Sequence, residues 1–404
     1  MILLANHECP HPSPRATARV PAGTGWRDND GQVPAPLPQG DRKGPHPTLH
    51  RSRPYKDTGG VRQQYLYQLH RSSCDTHPTK GTVMLNDPVL LNDWHVVAYA
   101  PDLKEGKPMA VRLLEEDIVL WRVGDKIHAW RDLCLHRGTR LSLGKVEDET
   151  LICPYHGWTY NEEGQCIRFP AHPDQVPPAK ARVKVYQAQE KYNWIWVTPG
   201  NPVKGIPAFP QWDDASFHKV HCGPYQFNAS GPRAVENFLD VTHFPFVHQG
   251  YLGDPAHPEV NDYEAEISAD GVVARDIVIW QPDPDGSGRG ANVTYTYTVV
   301  RPLTAYFVKE SSGPKFAMYF TVTPVAERVS IAWTYVAKDY ENTPDEETRQ
   351  FEDMITWQDV PIVESQRPEL LPLDLQAELH LRSDRTAIAY RQWLRELGLT
   401  FGTA

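Results

Sequence analysis

The chain lacks any run of about 20 apolar residues, the length needed to cross a bilayer. Its beginning also lacks the charged, apolar and small-residue succession of a secretory leader. A cytoplasmic protein with no membrane partner is therefore expected. Cysteine is scarce, 6 in 404 residues, which is too few for a disulfide framework, so thiols placed beside histidines point to metal binding in a reducing compartment. A dinucleotide fingerprint is missing too: "GSGRG" at Gly286 to Gly290 lies in a polar turn between strand-like runs and opens no helix. No nucleic-acid partner is expected.

A composition of 40% apolar and 23% charged residues suits a globular chain long enough for two packed domains. Residues 1–83 differ in kind. They hold 11 of the 37 prolines and 6 of the 17 histidines and carry a net charge of +5, which leaves −15 for the remainder. Proline-rich and weakly apolar, such a segment buries too little surface to offset its ordering entropy, so a disordered tail is expected, with Met84 as the true start of the protein. Residues 84–200 read as a small β-domain, with a hairpin signal at Gly124-Asp125 and a Pro/Gly break near Pro199 to Pro202. Residues 201–404 form the second domain, in which "VTYTYTVV", "FAMYFTVTPV" and "VSIAWTYVAK" alternate as antiparallel strands. Tyr295, Tyr297 and Trp333 on those strands are candidates for a pocket wall.

"CLHRGTRLSLGKVEDETLICPYHGW" places Cys134 and His136 in one loop and Cys153 and His156 in the next. Two such pairs suit a tetrahedral zinc, and they suit a two-iron cluster in which the thiolates hold one iron and the imidazoles the other. Each pair is mixed, which favours the cluster, because zinc fingers more often group Cys with Cys. Neutral imidazoles in place of two thiolates raise the potential to roughly −150 to +300 mV, against about −400 mV for all-Cys plant-type clusters. "AVENFLDVTHFPFVHQG" sets Glu236, Asp240 and His243 on one expected helix face, with His248 five residues beyond His243 and Pro245 bending the chain between the two histidines. Two histidines and a carboxylate around one ion leave open the coordination positions that non-haem Fe(II) oxygenases use.

Together with "NDWHVVA", "FPAHPDQVPPA" and "SDRTAIAYRQWLRELGLTFG", these stretches resemble the catalytic subunits of Rieske non-haem iron oxygenases from Met84 onward. The likeness looks closest to compact members such as the saxitoxin-pathway hydroxylases, with vanillate-type O-demethylases and dicamba-type monooxygenases more distant. The resemblance implies an α+β fold, with a β-rich Rieske [2Fe-2S] domain followed by a curved antiparallel sheet with helices, helix-grip-like, around mononuclear iron. It implies that Cys134, His136, Cys153 and His156 hold the cluster. His243, His248 and Asp359 would hold Fe(II), with Glu352, Asp353 and Glu364 as rivals for the third place. O2 would be a co-substrate, and NAD(P)H would act only through a separate reductase, with or without a ferredoxin. Arg137 and Arg140 beside the cluster are candidates to meet an acidic partner. A homotrimer is implied as well, in which Asp240 links His156 of one subunit to His243 of the next. The reaction expected is hydroxylation or oxidative demethylation of a small organic, cyclic or aromatic molecule. The alternatives are ring cis-dihydroxylation, a non-catalytic electron carrier and a zinc-binding scaffold.

Overall fold

In the computed structural model the described residues are 87–404 without 312, 314, 341 and 342; the expected tail and the Met84 start lie outside them. Asp87 ties the two ends of the described chain together. One carboxylate oxygen caps the single-turn helix α1 (Pro88–Leu91) at the Leu90 amide, 3.0 Å away, and the other accepts from the Thr400 and Phe401 amides at 2.7 and 2.8 Å.

Short antiparallel strands come next: β1 (His95–Tyr99), β2 (Met109–Leu113), β3 (Glu116–Val123), β4 (Lys126–Arg131), β5 (Lys145–Glu147), β6 (Thr150–Ile152), β7 (Thr159–Tyr160), β8 (Cys166–Arg168), β9 (Val185–Lys191) and β10 (Trp194–Thr198). Six form a sheet in the order β1-β10-β9-β4-β3-β2, and β5 to β8 form a smaller one. The β3–β4 hairpin turns at Gly124, whose φ of 53° costs glycine little. The loop after β4 and the loop between β6 and β7 carry the two Cys–His pairs. Their common core contains Trp121, Trp130, Leu141, Leu151 and Tyr160.

A second sheet follows, built from β11 (His218–Phe227), β12 (Glu264–Ser268), β13 (Gly271–Gln281), β14 (Ala291–Arg301), β15 (Thr304–Glu310), β16 (Phe316–Ala326) and β17 (Val329–Lys338), in the order β11-β17-β16-β15-β14-β13-β12. Strand periodicity divides its residues between two surroundings. On β16 and β17, Tyr319, Trp333 and Tyr335 join Trp94, Trp194 and Trp196 in an aromatic cluster that fastens the two sheets together. The alternate residues Phe316, Met318, Phe320, Thr334 and Lys338 face a cavity instead. Trp333 is thus a junction residue, its Nε1–H donating to Thr323 Oγ1 at 2.8 Å, whereas Tyr295 and Tyr297 do line the cavity. Truncating one of the buried tryptophans to alanine costs about 3–5 kcal/mol.

The helices are α2 (Gly231–Leu239), α3 (Phe244–Val247), α4 (Asp345–Ser365) and α5 (Arg385–Leu397). Among the described residues no helix is long and apolar enough to cross a membrane. The expected single face of Glu236, Asp240 and His243 does not form, because α2 ends at Leu239. The cause is local. Asp240 is extended, at φ −91° and ψ 125°, and its carboxylate accepts from the Thr242 amide at 2.7 Å and from Thr242 Oγ1 at 2.6 Å. An Asp that captures a backbone donor two residues on competes with the helix for it. Pro245 likewise bends nothing. It sits in the first turn of α3, where its missing N–H is no loss, and His243 and His248 flank that turn as its caps. Gly253 lies so close beneath Pro245 that a Cβ there would come within 2.6 Å of the proline nitrogen, so the α3 turn packs against bare backbone.

Candidate metal centres and the cavity beside one of them

The two cluster loops are built alike. Cys134 N–H donates to Thr139 O at 2.8 Å and Gly138 N–H returns to Cys134 O at 2.9 Å; Cys153 N–H donates to Trp158 O at 2.9 Å and Gly157 N–H returns to Cys153 O at 3.1 Å. Each loop closes through a left-handed glycine, Gly138 at φ 72° and Gly157 at φ 68°, a conformation that L side chains adopt only with strain. The repeated turn carries the Cys and the His of each pair to the same end of the module. The two thiols are buried, and His136 Nδ1 and His156 Nδ1 face each other at 3.1 Å. Ring nitrogens that close must share a proton or an ion. The Trp158 ring stacks on His136 with centroids 4.5 Å apart, and Tyr155 covers His156 at 3.8 Å.

The electrostatics around these loops suit metal binding. Burial, then the neighbouring His156 and Arg137, lowers the His136 pKa and favours the neutral, ligating imidazole. Tyr160 OH lies 3.2 Å from Cys134 Sγ, a hydrogen bond of the kind that tunes a sulfur-bound cluster. Cys166 shares the same core, and burial pushes its thiol up to about 11, but its Sγ contacts Arg168 O at 3.6 Å. Of the two nearby arginines, Arg140 pairs with Asp117 at 2.9 Å, while Arg137 is exposed.

His243, His248 and Asp359 converge on one point. Their ligand atoms all lie within 4.8 Å of one another, with His243 Nε2 3.2 Å from His248 Nε2, and Asp359 Oδ1 3.4 and 3.2 Å from the two nitrogens. The far side of each ring is held. His243 Nδ1 meets Asp240 Oδ2 at 3.3 Å, and His248 Nδ1 meets Gln358 Oε1 at 2.8 Å. A carboxylate and an amide oxygen can only accept, so both Nδ1 atoms carry a proton, and both Nε2 atoms are turned toward Asp359. Burial alone would lower the His243 pKa, but Asp240 and Asp359 outweigh it and raise it to about 9. Asp359 stays below the usual carboxylate range, because the two imidazoles overcome its burial. A site that holds a proton this firmly also suits a cation, so the donor set fits an iron ion.

Two rivals of Asp359 are engaged elsewhere, and the third lies apart from the triad. Asp353 accepts from Tyr225 OH at 2.8 Å, Glu364 accepts from the Asn228 amide at 2.7 Å, and Glu352 is not among the converging groups. Glu236 is turned to Arg391 in a buried ion network with Arg233 and Glu378. Sequence reasoning missed Gln358 and Asn237, whose Nδ2 approaches Asp359 Oδ1 at 3.5 Å. Neither stands at a spacing that marks it.

A cavity of about 670 Å³ opens beside the triad, large enough for a small-molecule substrate. Its walls are rich in aromatic side chains, among them Phe238, Tyr295, Tyr297, Phe307 and Phe320. Phe238 and Phe320 stack with centroids 4.5 Å apart and planes 6° from parallel. Such walls favour a flat ligand.

Comparison with known proteins agrees with this geometry. Residues 93–187 match the Rieske [2Fe-2S] domain, and residues 227–400 match the vanillate O-demethylase oxygenase C-terminal domain. The methylxanthine N1-demethylase NdmA of Pseudomonas putida is 32% identical over 316 residues, covering 75% of this chain and 88% of that protein. The methylxanthine N3-demethylase NdmB of the same organism is 30% identical over 335 residues, with coverages of 78% and 92%. The solved structure of P. putida NdmA with caffeine superposes with a TM-score of 0.68 at 31% identity, over 76% of this chain and 91% of that one.

Proposed function

The chain belongs to the catalytic subunits of the Rieske non-haem iron oxygenases, and from that premise we propose that it removes a methyl group oxidatively from a small aromatic or heteroaromatic molecule. Members of this family are oxidoreductases that use O2 and electrons from a separate reductase. The cluster, when bound, passes single electrons, and the iron activates dioxygen for attack on a C–H bond. In our reading Cys134, His136, Cys153 and His156 hold the cluster, and His243, His248 and Asp359 hold the iron. The observation that carries it is the convergence of that triad on the wall of an aromatic cavity, in a chain that also gathers two Cys–His pairs.

The protein's own residues position the reaction. Asp240 and Gln358 fix the two imidazoles, Asn237 reaches toward Asp359, and the aromatic walls orient a planar substrate and exclude water. In the proposed step an N- or O-methyl group, one O2, two electrons and two protons give a hydroxymethyl group and water. The hydroxymethyl group then collapses to formaldehyde and the demethylated N–H or O–H. Support for demethylation over plain hydroxylation comes from the activities named for NdmA and NdmB.

We extend the reading to a cytoplasmic, head-to-tail homotrimer, with the module boundary near residue 200. His156 is exposed, and Asp240 leaves 36% of its side chain exposed while bonded to His243, so it has surface left for His156 of the partner subunit. The test is a metal-replete preparation given a surrogate reductase, NADH and a panel of N- and O-methylated aromatics. O2 uptake matched by formaldehyde release is expected for at least one compound. Uptake matched by a hydroxylated product without formaldehyde would replace demethylation with hydroxylation.

A further inference from the structure

Helix α4 presents Thr348, Glu352, Ile355, Thr356 and Asp359 to the cavity, the i, i+4, i+7, i+8 and i+11 stripe of one helical face. Asp359 stands at the triad. Glu352 stands seven residues earlier, about 10 Å along the helix axis, and its side chain is buried, only 5% exposed. Several other polar groups on the cavity wall engage one another, whereas the Tyr297 hydroxyl is buried there without a hydrogen-bond partner. Lys309 donates to Pro284 O at 3.2 Å and to Gln281 Oε1 at 3.5 Å, Gln281 Nε2 donates to Tyr295 OH at 3.0 Å, and Lys338 donates to Thr343 O and Thr348 Oγ1 at 2.7 and 2.8 Å. Among the described residues, no hydrogen bond or ion pair joins the Glu352 carboxyl to any side chain or backbone group. A buried carboxyl without a partner is costly, and its natural complement is a ligand.

The surroundings narrow that ligand's chemistry. Of the charged groups on the lining, Asp283, Asp285 and Glu347 are exposed, and it is Lys309 that stands within electrostatic reach of Glu352 and opposes a cationic group there. Among the described residues no arginine lines the cavity to hold an anion, and the two lysines that line it are already engaged. Burial, only partly offset by Lys309, raises the Glu352 pKa to about 8, so near neutral pH the group is mostly a carboxylic acid, one oxygen donating and the other accepting. The flat edge that satisfies both at once is an N–H beside a carbonyl.

We propose that Glu352 is the recognition residue for the substrate end remote from the triad, and that the substrate is a neutral nitrogen heterocycle whose lactam edge, N–H next to C=O, pairs with this carboxyl through two hydrogen bonds. The inference rests on the reading of this cavity as an oxygenase's substrate pocket. Glu352 acts in binding and orientation, placing the opposite end of a ring system about 10 Å long at His243, His248 and Asp359.

The test uses two matched pairs of probes: theobromine with caffeine, which replaces its ring N–H by N–CH3, and quinolin-2-one with its N-methyl derivative. Binding to metal-replete wild type, Glu352→Gln and Glu352→Leu is measured by calorimetry, and cluster absorbance and iron content are read on the same samples. The N–H member of at least one pair binds wild type about tenfold or more tightly than its methylated partner. Glu352→Gln, which also offers a donor and an acceptor, keeps the preference, and Glu352→Leu abolishes it. Leucine removes a buried carboxyl from an apolar wall, so this variant is expected to fold. Equal binding within both pairs, no binding of any probe to metal-replete protein, or a preference that survives in Glu352→Leu overturns the proposal. Failure of the broader oxygenase reading would appear separately, as protein unable to hold the cluster and the iron.

Discussion

Replacing Glu352 by Gln should make the protein more stable, and by an amount that grows with pH. The carboxyl is buried on α4 and faces Lys309 from β15, with Asp353 next to it on its own helix and Cys222 and Tyr340 within electrostatic reach. Burial raises its pKa from 4.5 to about 8, Lys309 opposing the rise and Asp353 adding to it. The folded state therefore binds more protons than the unfolded chain between those two values. Stability falls as pH rises through that window and levels off above the folded pKa. Between pH 6 and pH 8 this single group removes about 2 kcal/mol, and glutamine, which does not titrate, removes none. For a chain of this size that corresponds to a gap in melting temperature between variant and wild type that widens by about 4 °C from pH 6 to pH 8. Differential scanning calorimetry of the metal-replete proteins at both pH values reads the gap, and pH effects on the metal ligands cancel in the difference. A gap that stays constant, or narrows as pH rises, would refute the assignment of a raised pKa to this buried carboxyl.

Five further substitutions probe the two candidate centres. Cys153→Ser should abolish the visible absorption of the cluster while leaving iron binding at the triad intact, and Asp359→Ala should do the reverse, as metal analysis beside the absorption spectrum will show. Tyr160→Phe removes the hydroxyl 3.2 Å from Cys134 Sγ and should lower the cluster potential by roughly 50 to 100 mV, the one-electron equivalent of about 1–2 kcal/mol, in a redox titration. Gln358→Leu frees the His248 ring that the amide holds at 2.8 Å and should weaken iron binding about 10- to 100-fold in a chelator competition. Asp240→Asn should keep both centres yet lose nearly all multiple turnover, because an amide carries no charge and offers one acceptor oxygen in place of two; normal turnover in metal-replete protein would remove the proposed link through Asp240.

What the sequence made legible shares a short range. The Cys–His pairs, the His243–His248 spacing, the alternation of β14, β16 and β17 and the Gly124 hairpin are each contained within about a dozen residues. Features set by a single side chain or by distant packing were hidden. The turns after β2, β5 and β9 run through Leu114-Glu115, Asp148-Glu149 and Tyr192-Asn193, all six residues at positive φ between 47° and 65°. No glycine announces them. Sheet pairing holds those residues in a conformation that costs each of them roughly 1 kcal/mol or more. The early end of α2 was hidden for a different reason. It depends on the Asp240 carboxylate choosing the Thr242 amide, a choice that helical periodicity cannot register.

The carboxylates of α4 pose the sharpest case. Glu352 and Asp359 are seven residues apart on one face, and in the sequence either one suits a ligand role. Their surroundings separate them. Asp359 meets two imidazoles brought by α3 and its pKa falls, whereas Glu352 meets apolar walls and one lysine and its pKa rises. Those neighbours come from segments between about 40 and 120 residues away in the chain, so no local pattern on α4 could have assigned the roles. The same geometry implies that the two carboxyls are not interchangeable. A charged group where Glu352 stands would lack a partner, and a neutral one where Asp359 stands would leave two histidines without the anion that completes their site.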